Sequence, residues 1–413
     1  MTIKNVLIFA NCIFLLLLAE ISKAQVLTSE DSLSAGLIAK DQATVISGYG
    51  EARYSYDRKH KNAEASLDRV VLFVGHKFSN KISLFTELEL EDALVSGQSG
   101  EERGKGSVGM EQAFLKFNLN PTTYLVAGLF LPRIGIINEN HLPTTFNGVD
   151  RPFVEESIIP STWREVGVGI YGMVKQVPGL NYSFALTNGL NSSGFSNGSG
   201  IKGGRQLGSI STGSALAATG SLLYYVGDFR FQASLYAGGS TGEEKRVADS
   251  LQLNSGAFGN PVYMGEINGQ YSNNGLDVRV LATGISIPNA DNVNRAYANN
   301  TPKSMYGGYA EVAYDLLYPQ QHGAKSFIVF GRYEHMDLNA SIPFNGIHND
   351  ANKQNYLVAG VTFKPIRGVA IKADYVGRLT GEQNPDLIIT PFPKMVPYFK
   401  NNGFINLGIA YNF

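Results

Sequence analysis

From Val45 to Phe413 the chain repeats one pattern, short segments in which apolar and polar residues alternate with period two. Such alternation sends successive side chains to opposite faces of a strand. Sixteen segments follow it: 45–56, 65–78, 81–93, 108–119, 123–130, 164–174, 180–187, 215–226, 229–238, 259–269, 276–286, 304–316, 325–336, 353–364, 369–378 and 401–413. Most reach the roughly 9–11 residues that a tilted strand needs to cross a bilayer. Helical periodicity hardly occurs, so the predicted class is all-β.

The links between segments narrow the architecture. "SN", "NPT", "QVPG", "GD" and "PIRG" follow segments 2, 4, 6, 8 and 14, whereas 94–107, 131–163, 188–214, 239–258, 287–303, 337–352 and 379–400 are long. Alternating short and long links are the rhythm of a transmembrane, antiparallel up-and-down barrel with short periplasmic turns and long outer loops. A sandwich or propeller has no reason to enforce it.

Facing patterns agree. "RVVLFVGHKF" sets Val70, Leu72, Val74 and Phe78 against Arg69 and Lys77, and "KISLFTELELED" sets Ile82, Leu84, Leu88 and Leu90 against Glu87, Glu89 and Glu91. "DFRFQASLYA" likewise turns Phe229, Phe231, Ala233 and Leu235 out and Arg230 in. Apolar outside and charged inside suits a water-filled lumen in lipid. The final stretch, "INLGIAYNF", alternates to its last residue, as a closing strand that must pair with the first would.

The N-terminal residues carry an address. Lys4, the apolar run "VLIFANCIFLLLLA" (6–19) and "SKA" (22–24) form a signal-peptide pattern, too short for a membrane helix. The expected organisation is a signal peptide at 1–24, a short periplasmic segment at 25–44 and a barrel over 45–413. Cys12 is the only cysteine, so the mature chain has no thiol chemistry. With 34 basic and 35 acidic residues, nothing favours nucleic acid as a partner.

Motifs that suggest enzymes fail on context. "GVGIYG" (167–172) matches a dinucleotide fingerprint but lies within a strand, and "GFSNG" (194–198) matches a nucleophile elbow without strand, turn and helix around it. The six histidines lack ligand spacing, and Glu139 with His141 reads as a solvated loop pair. No catalytic residue, metal or cofactor is expected.

At 129–172 the chain reads "LFLPRIGIINENHLPTTFNGVDRPFVEESIIPSTWREVGVGIYG". With the whole-chain pattern, this resembles the sixteen-stranded general and phosphate-selective porins of Bacteroidetes-type bacteria. The resemblance implies a passive diffusion pore in a Gram-negative outer membrane, surrounded by lipid bilayer and usually a homotrimer. Its third outer loop would fold inward as a constriction, and 131–163, the third link at the outer end when the one after segment 1 is counted, is also the longest at 33 residues. Val166, Val168 and Ile170 facing lipid turn Gly167 and Gly169 inward, and Gly128 points inward too, leaving room for a loop.

The candidate constriction residues are then Arg133, Glu139, Asp150, Arg151, Glu155 and Glu156. The candidate pore-wall residues are Arg53, Arg69, Glu87, Glu89, Arg230, Arg279, Arg332 and Arg378, a positive wall facing a negative loop, with Glu51 among the inward acids. The permeants implied are small hydrophilic solutes or ions, anions such as phosphate included. The loop has no lysine ladder, which departs from the phosphate-selective branch. Two alternatives are a channel for hydrophobic substrates and a barrel-embedded hydrolase. The first needs a plug that 25–44 is too short and polar to form, and the second a nucleophile–base pair that the sequence lacks.

Overall fold

The computed structural model describes residues 43–92, 106–318, 325–387 and 397–413. The predicted signal peptide and all but the end of the segment 25–44 lie outside the described residues, as does most of the link 94–107.

Sixteen antiparallel strands close into one up-and-down barrel. They are β1 (Thr44–Asp57), β2 (Asn62–Lys77), β3 (Ile82–Glu91), β4 (Ser107–Asn120), β5 (Thr123–Phe130), β6 (Glu165–Met173), β7 (Leu180–Asn188) and β8 (Leu216–Val226). Then follow β9 (Phe229–Gly238), β10 (Val262–Asn273), β11 (Leu276–Ser286), β12 (Ser304–Asp315), β13 (Ser326–Ser341), β14 (Lys353–Ile366), β15 (Val369–Thr380) and β16 (Asn401–Asn412). Each strand pairs with its sequence neighbour, and β1 pairs with β16 from Tyr49 opposite Asn412 to Asp57 opposite Phe404. Beyond the ladder, the Phe413 N–H donates to the Gly48 carbonyl at 2.9 Å. Closure leaves no sheet edge, the condition for a β-structure in hydrocarbon.

The outer face is apolar and exposed, as at Leu235, Ile267, Leu357 and Leu407, while their neighbours Tyr236, Glu266, Tyr356 and Asn406 are buried inside. The link rhythm holds with two exceptions: β1 and β2 join at the long-loop end through only 58–61, and β12 and β13 join at the turn end through 316–325. Two strands depart most from the alternation reading. β10 runs from Val262 to Asn273, and β13 continues to Ser341.

Five register shifts interrupt the strand ladders of the described residues, and two of them are bulges on the β1–β4 wall. Arg69 pairs with Glu51 and Leu67 with Ala52, leaving Asp68 as the extra residue of β2. Gln112 pairs with Glu87 and Met110 with Leu88, leaving Glu111 as the extra residue of β4. A bulge re-aims the side chains beside it. Here it adds an inward carboxylate to each strand.

The barrel's largest apolar core lies inside the lumen. Ile134, Ile136, Ile137, Phe146, Phe153, Val154, Ile158, Ile159 and Trp163 of the β5–β6 link cluster with inward wall residues such as Tyr236, Tyr309, Met336, Tyr356 and Phe404. Each such side chain contributes roughly 1.5–3 kcal/mol when fully buried. The segment therefore crosses the lumen toward β9–β16 and carries one helical turn, α1 (Phe153–Ser157). Two further short helices, α2 (Lys245–Ser250) and α3 (Ala290–Tyr297), lie in the outer loops.

Candidate functional site

Polar anchors fix the path of the infolded segment. Its backbone N–H groups find wall carboxylates: Val149 N donates to Asp374 Oδ2 at 2.6 Å, and Val154 N to Glu334 Oε2 at 2.9 Å. Its carbonyls find wall cations, Gly148 O accepting from Lys372 Nζ at 2.8 Å and Asn147 O from Arg332 Nη1 at 3.2 Å. Arg332 is itself held by Glu334 at 2.8 Å and Glu311 at 3.0 Å. Buried polar groups need partners. Loop and wall supply them to each other.

Between this segment and the β1–β3 wall lies a cavity of about 330 Å³. Six basic residues line it (Arg53, Arg69, Arg151, Arg164, Lys202, Arg205), and so do six acidic ones (Glu51, Asp68, Glu91, Asp92, Asp150, Glu156). A second cavity of about 140 Å³ shares Arg53 and Asp150 with the first. These two residues form an ion pair at 2.6 Å, and Arg53 also meets Asp68 at 3.2 Å. The Arg53–Asp150 bridge thus stands on the boundary between the two spaces. Burial raises the Asp150 carboxyl to about 7, with Asp374, Glu156 and Asp68 adding repulsion against the pull of Arg53.

The sequence-derived residues do not all meet here. Arg53, Arg69, Asp150, Arg151 and Glu156 line the larger cavity. Arg133 pairs with Glu139 at 2.9 Å and lines a separate space of about 80 Å³ near the β4–β5 turn. Glu155 turns into the segment's own interior, accepting from Ile136 N at 2.8 Å, Ile137 N at 2.7 Å and the Tyr309 hydroxyl at 2.6 Å. Its carboxyl is pushed up to about 7 by burial, against those three donors.

Arg332 is buried beneath the segment, and Arg279 is bonded to Asp277 at 2.8 Å and to the Thr145 carbonyl at 3.1 Å. Arg230 meets Gln232 at 3.3 Å, Arg378 lies 5.4 Å from the Phe404 ring, and Glu87 and Glu89 are buried. A positive wall facing a negative loop is not what forms. Arg69 binds Glu51 at 2.8 Å and Glu89 at 3.3 Å, and among the described residues the wall arginines pair with wall acids far more often than with loop acids, Arg53–Asp150 being the pair with the loop.

Two expectations need correction. A Cβ on Gly128 or Gly167 would strike the neighbouring strand, Ala113 O at 2.3 Å or Leu186 O at 2.2 Å, and one on Gly169 would meet the Tyr171 ring at 3.0 Å. These glycines permit close strand approach. The glycines facing the loop are Gly307, where a Cβ would lie 2.8 Å from Ile158 Cδ1, and Gly408, 3.2 Å from Val149. His141 is not a solvated partner of Glu139 either. It is fully buried, its Nε2 facing Glu87 at 3.8 Å and Glu111 at 3.7 Å.

The false motifs resolve structurally. "GVGIYG" is the middle of β6, and Ser196 bonds only Ser199 and local backbone in the β7–β8 loop. Alternation missed Asp68 and Glu111 because a bulge has no period. It could not find Arg164, Lys202 and Arg205, which lie in or beside loops.

No protein-family model matches the chain. The fold is similar to an anion-selective porin from Comamonas acidovorans, with a TM-score of 0.54, 11% identity, and 90% of this chain and 99% of that one covered. It is also similar to OmpF of Salmonella typhi in complex with daunomycin, with a TM-score of 0.51, 11% identity and 90% and 97% covered. A loop-deletion mutant of OmpT, an outer membrane protein of Vibrio cholerae, matches with a TM-score of 0.51 and 10% identity, over 90% of this chain and 100% of that one. These likenesses establish a porin-like sixteen-stranded barrel. In sequence, the chain is 32% identical over 345 residues to an uncharacterized protein of Aquifex aeolicus (strain VF5), covering 80% of this chain and 74% of that one. At that identity over most of both chains, it belongs to the same family as the Aquifex aeolicus protein.

Proposed function

We propose that the protein is a diffusion porin of a Gram-negative outer membrane, a homotrimer of passive channels rather than an enzyme. In this reading 131–163 is the constriction. The observation that carries it is the Arg53–Asp150 bridge between a charged cavity and a smaller one of mixed lining, inside a barrel whose lumen is otherwise crossed by an apolar loop. A water-filled path with charge at its narrowest section passes small hydrophilic solutes and excludes apolar ones. Six cations at the larger cavity admit anions such as phosphate, while six acids beside them argue against exclusive anion selectivity. An apolar path would suit hydrophobic substrates, whereas the larger cavity here is lined by twelve charged side chains.

The test is single-channel conductance in planar bilayers. The Arg53→Ala/Asp150→Ala double substitution removes both sides of the bridge and leaves the half-buried Asp68 to its hydrogen bond from Ser66. Conductance should rise and larger sugars should pass. Folded wild-type protein that leaves liposomes impermeable to a pentose would overturn the reading.

A further inference from the structure

Three buried groups serve neither the wall nor the aperture. Glu87 on β3, the bulge residue Glu111 on β4 and His141 on the infolded segment bring one ligand atom each within 4.8 Å of one another. All three side chains are shut off from solvent. Each is already oriented through a neighbour. His141 Nδ1 lies 3.3 Å from the Asn138 carbonyl, which can only accept, so Nδ1 carries a proton. Gln112 donates to Glu87 at 2.7 Å, and the Tyr49 hydroxyl donates to Glu111 at 2.8 Å.

His141 Nε2, by contrast, is buried with no hydrogen-bond partner. It points at two carboxylates that lie beyond hydrogen-bond reach, at 3.7 and 3.8 Å. The neighbouring guanidinium of Arg69 is taken by Glu51 and Glu89. A nitrogen lone pair and two carboxylates converging in a dry site repel one another unless a proton or a metal cation sits between them, and Arg151, the other guanidinium near the cluster among the described residues, makes no ion pair with any of the three.

We propose that Glu87, Glu111 and His141 bind one divalent transition-metal ion, with zinc as the representative occupant, and that the ion clamps the infolded segment to the barrel wall. Spacing and chemistry agree. Ligands about 2.0–2.2 Å from zinc lie about 3.4 Å apart at a tetrahedral angle, a few tenths of an ångström below the two histidine–carboxylate separations, and the two carboxylates lie within 4.8 Å of each other. One imidazole and two carboxylates suit zinc or its first-row neighbours. Calcium asks for 6–8 oxygens, more than three side chains supply. The hydrogen bonds to Nδ1, Glu87 and Glu111 are those that outer partners make to orient metal ligands. A fourth position remains for water.

The site is closed, so metal should be offered during refolding. Chain refolded with zinc, then passed over a desalting column, should retain one ion per barrel by elemental analysis. Cobalt in its place should give the visible absorption of a four-coordinate nitrogen–oxygen site. Glu87→Gln and His141→Gln keep the side-chain size, and folding of each is checked by heat-dependent mobility on gels. Each should weaken binding by more than about 100-fold, beyond the loss typical of an outer partner. His348→Gln, at an exposed histidine elsewhere, should leave it unchanged. Folded wild-type chain that retains no ion would overturn the proposal, as would retention undiminished in both folded ligand variants. Neither outcome depends on conductance, so the porin reading stands or falls separately.

Discussion

Asp150 answers to two forces, the guanidinium of Arg53 that favours its charge and a dry setting that opposes it. Burial wins, holding the carboxyl near 7 rather than at its ordinary value. As pH falls from about 8 to about 6, Asp150 therefore takes up a proton and the aperture gains positive charge. Reversal potentials in a potassium chloride gradient should shift toward chloride over that window. Asp150→Asn should abolish the shift and favour chloride throughout; an unaltered pH profile in that variant would count against it. The linkage sign follows. A folded value above the unfolded one gives a contribution complete below about 3.9 and lost as pH rises through about 7. Protease cleavage within 138–150 should accordingly be slower at about pH 6 than at about pH 8.

At the scale of the element, the infolded segment sits where it does because its apolar side chains match an apolar inner wall over β9–β16. Ile158 is fully buried and fills the space opened by Gly307. Gly307→Val would force a methyl-bearing carbon into Ile158 and Met336, an overpacking worth about 1–3 kcal/mol. Ile158→Ala would leave a cavity worth about 2–5 kcal/mol. Both should loosen the segment while the barrel persists, read as noisier single-channel currents with unchanged heat-dependent mobility. The strands themselves were legible, since sixteen runs such as 229–238 announce their two faces by period alone. Asp68 and Glu111 were not, because a bulge adds a residue without disturbing the composition around it. Nor could the sequence say that Val149 N–H would meet Asp374, 225 positions away. That contact exists only once the barrel sets distant strands across one lumen.

For the whole molecule, stability in lipid rests on the ring being complete and its outside apolar. Leu407 is half exposed on the outer face of β16, while the adjacent Asn406 points inward and bonds Asp374 at 2.9 Å. Leu407→Arg should cost about 2–4 kcal/mol if it lies near the bilayer midplane, measured by urea-dependent folding into liposomes. A chain truncated before β16 should form no heat-stable barrel, because β1 and β15 would each present an unpaired edge to hydrocarbon. The closed ring also imposes an order in time. The segment leaves the wall after β5, yet its anchors Glu311, Arg332, Glu334, Lys372 and Asp374 belong to β12, β13 and β15. When strands join in chain order, the loop is made long before its berth exists. On the proposed porin reading the channel is thus born wide and narrows last, and a protease pulsed during assembly should cut 138–150 early and spare it only after the ring has shut.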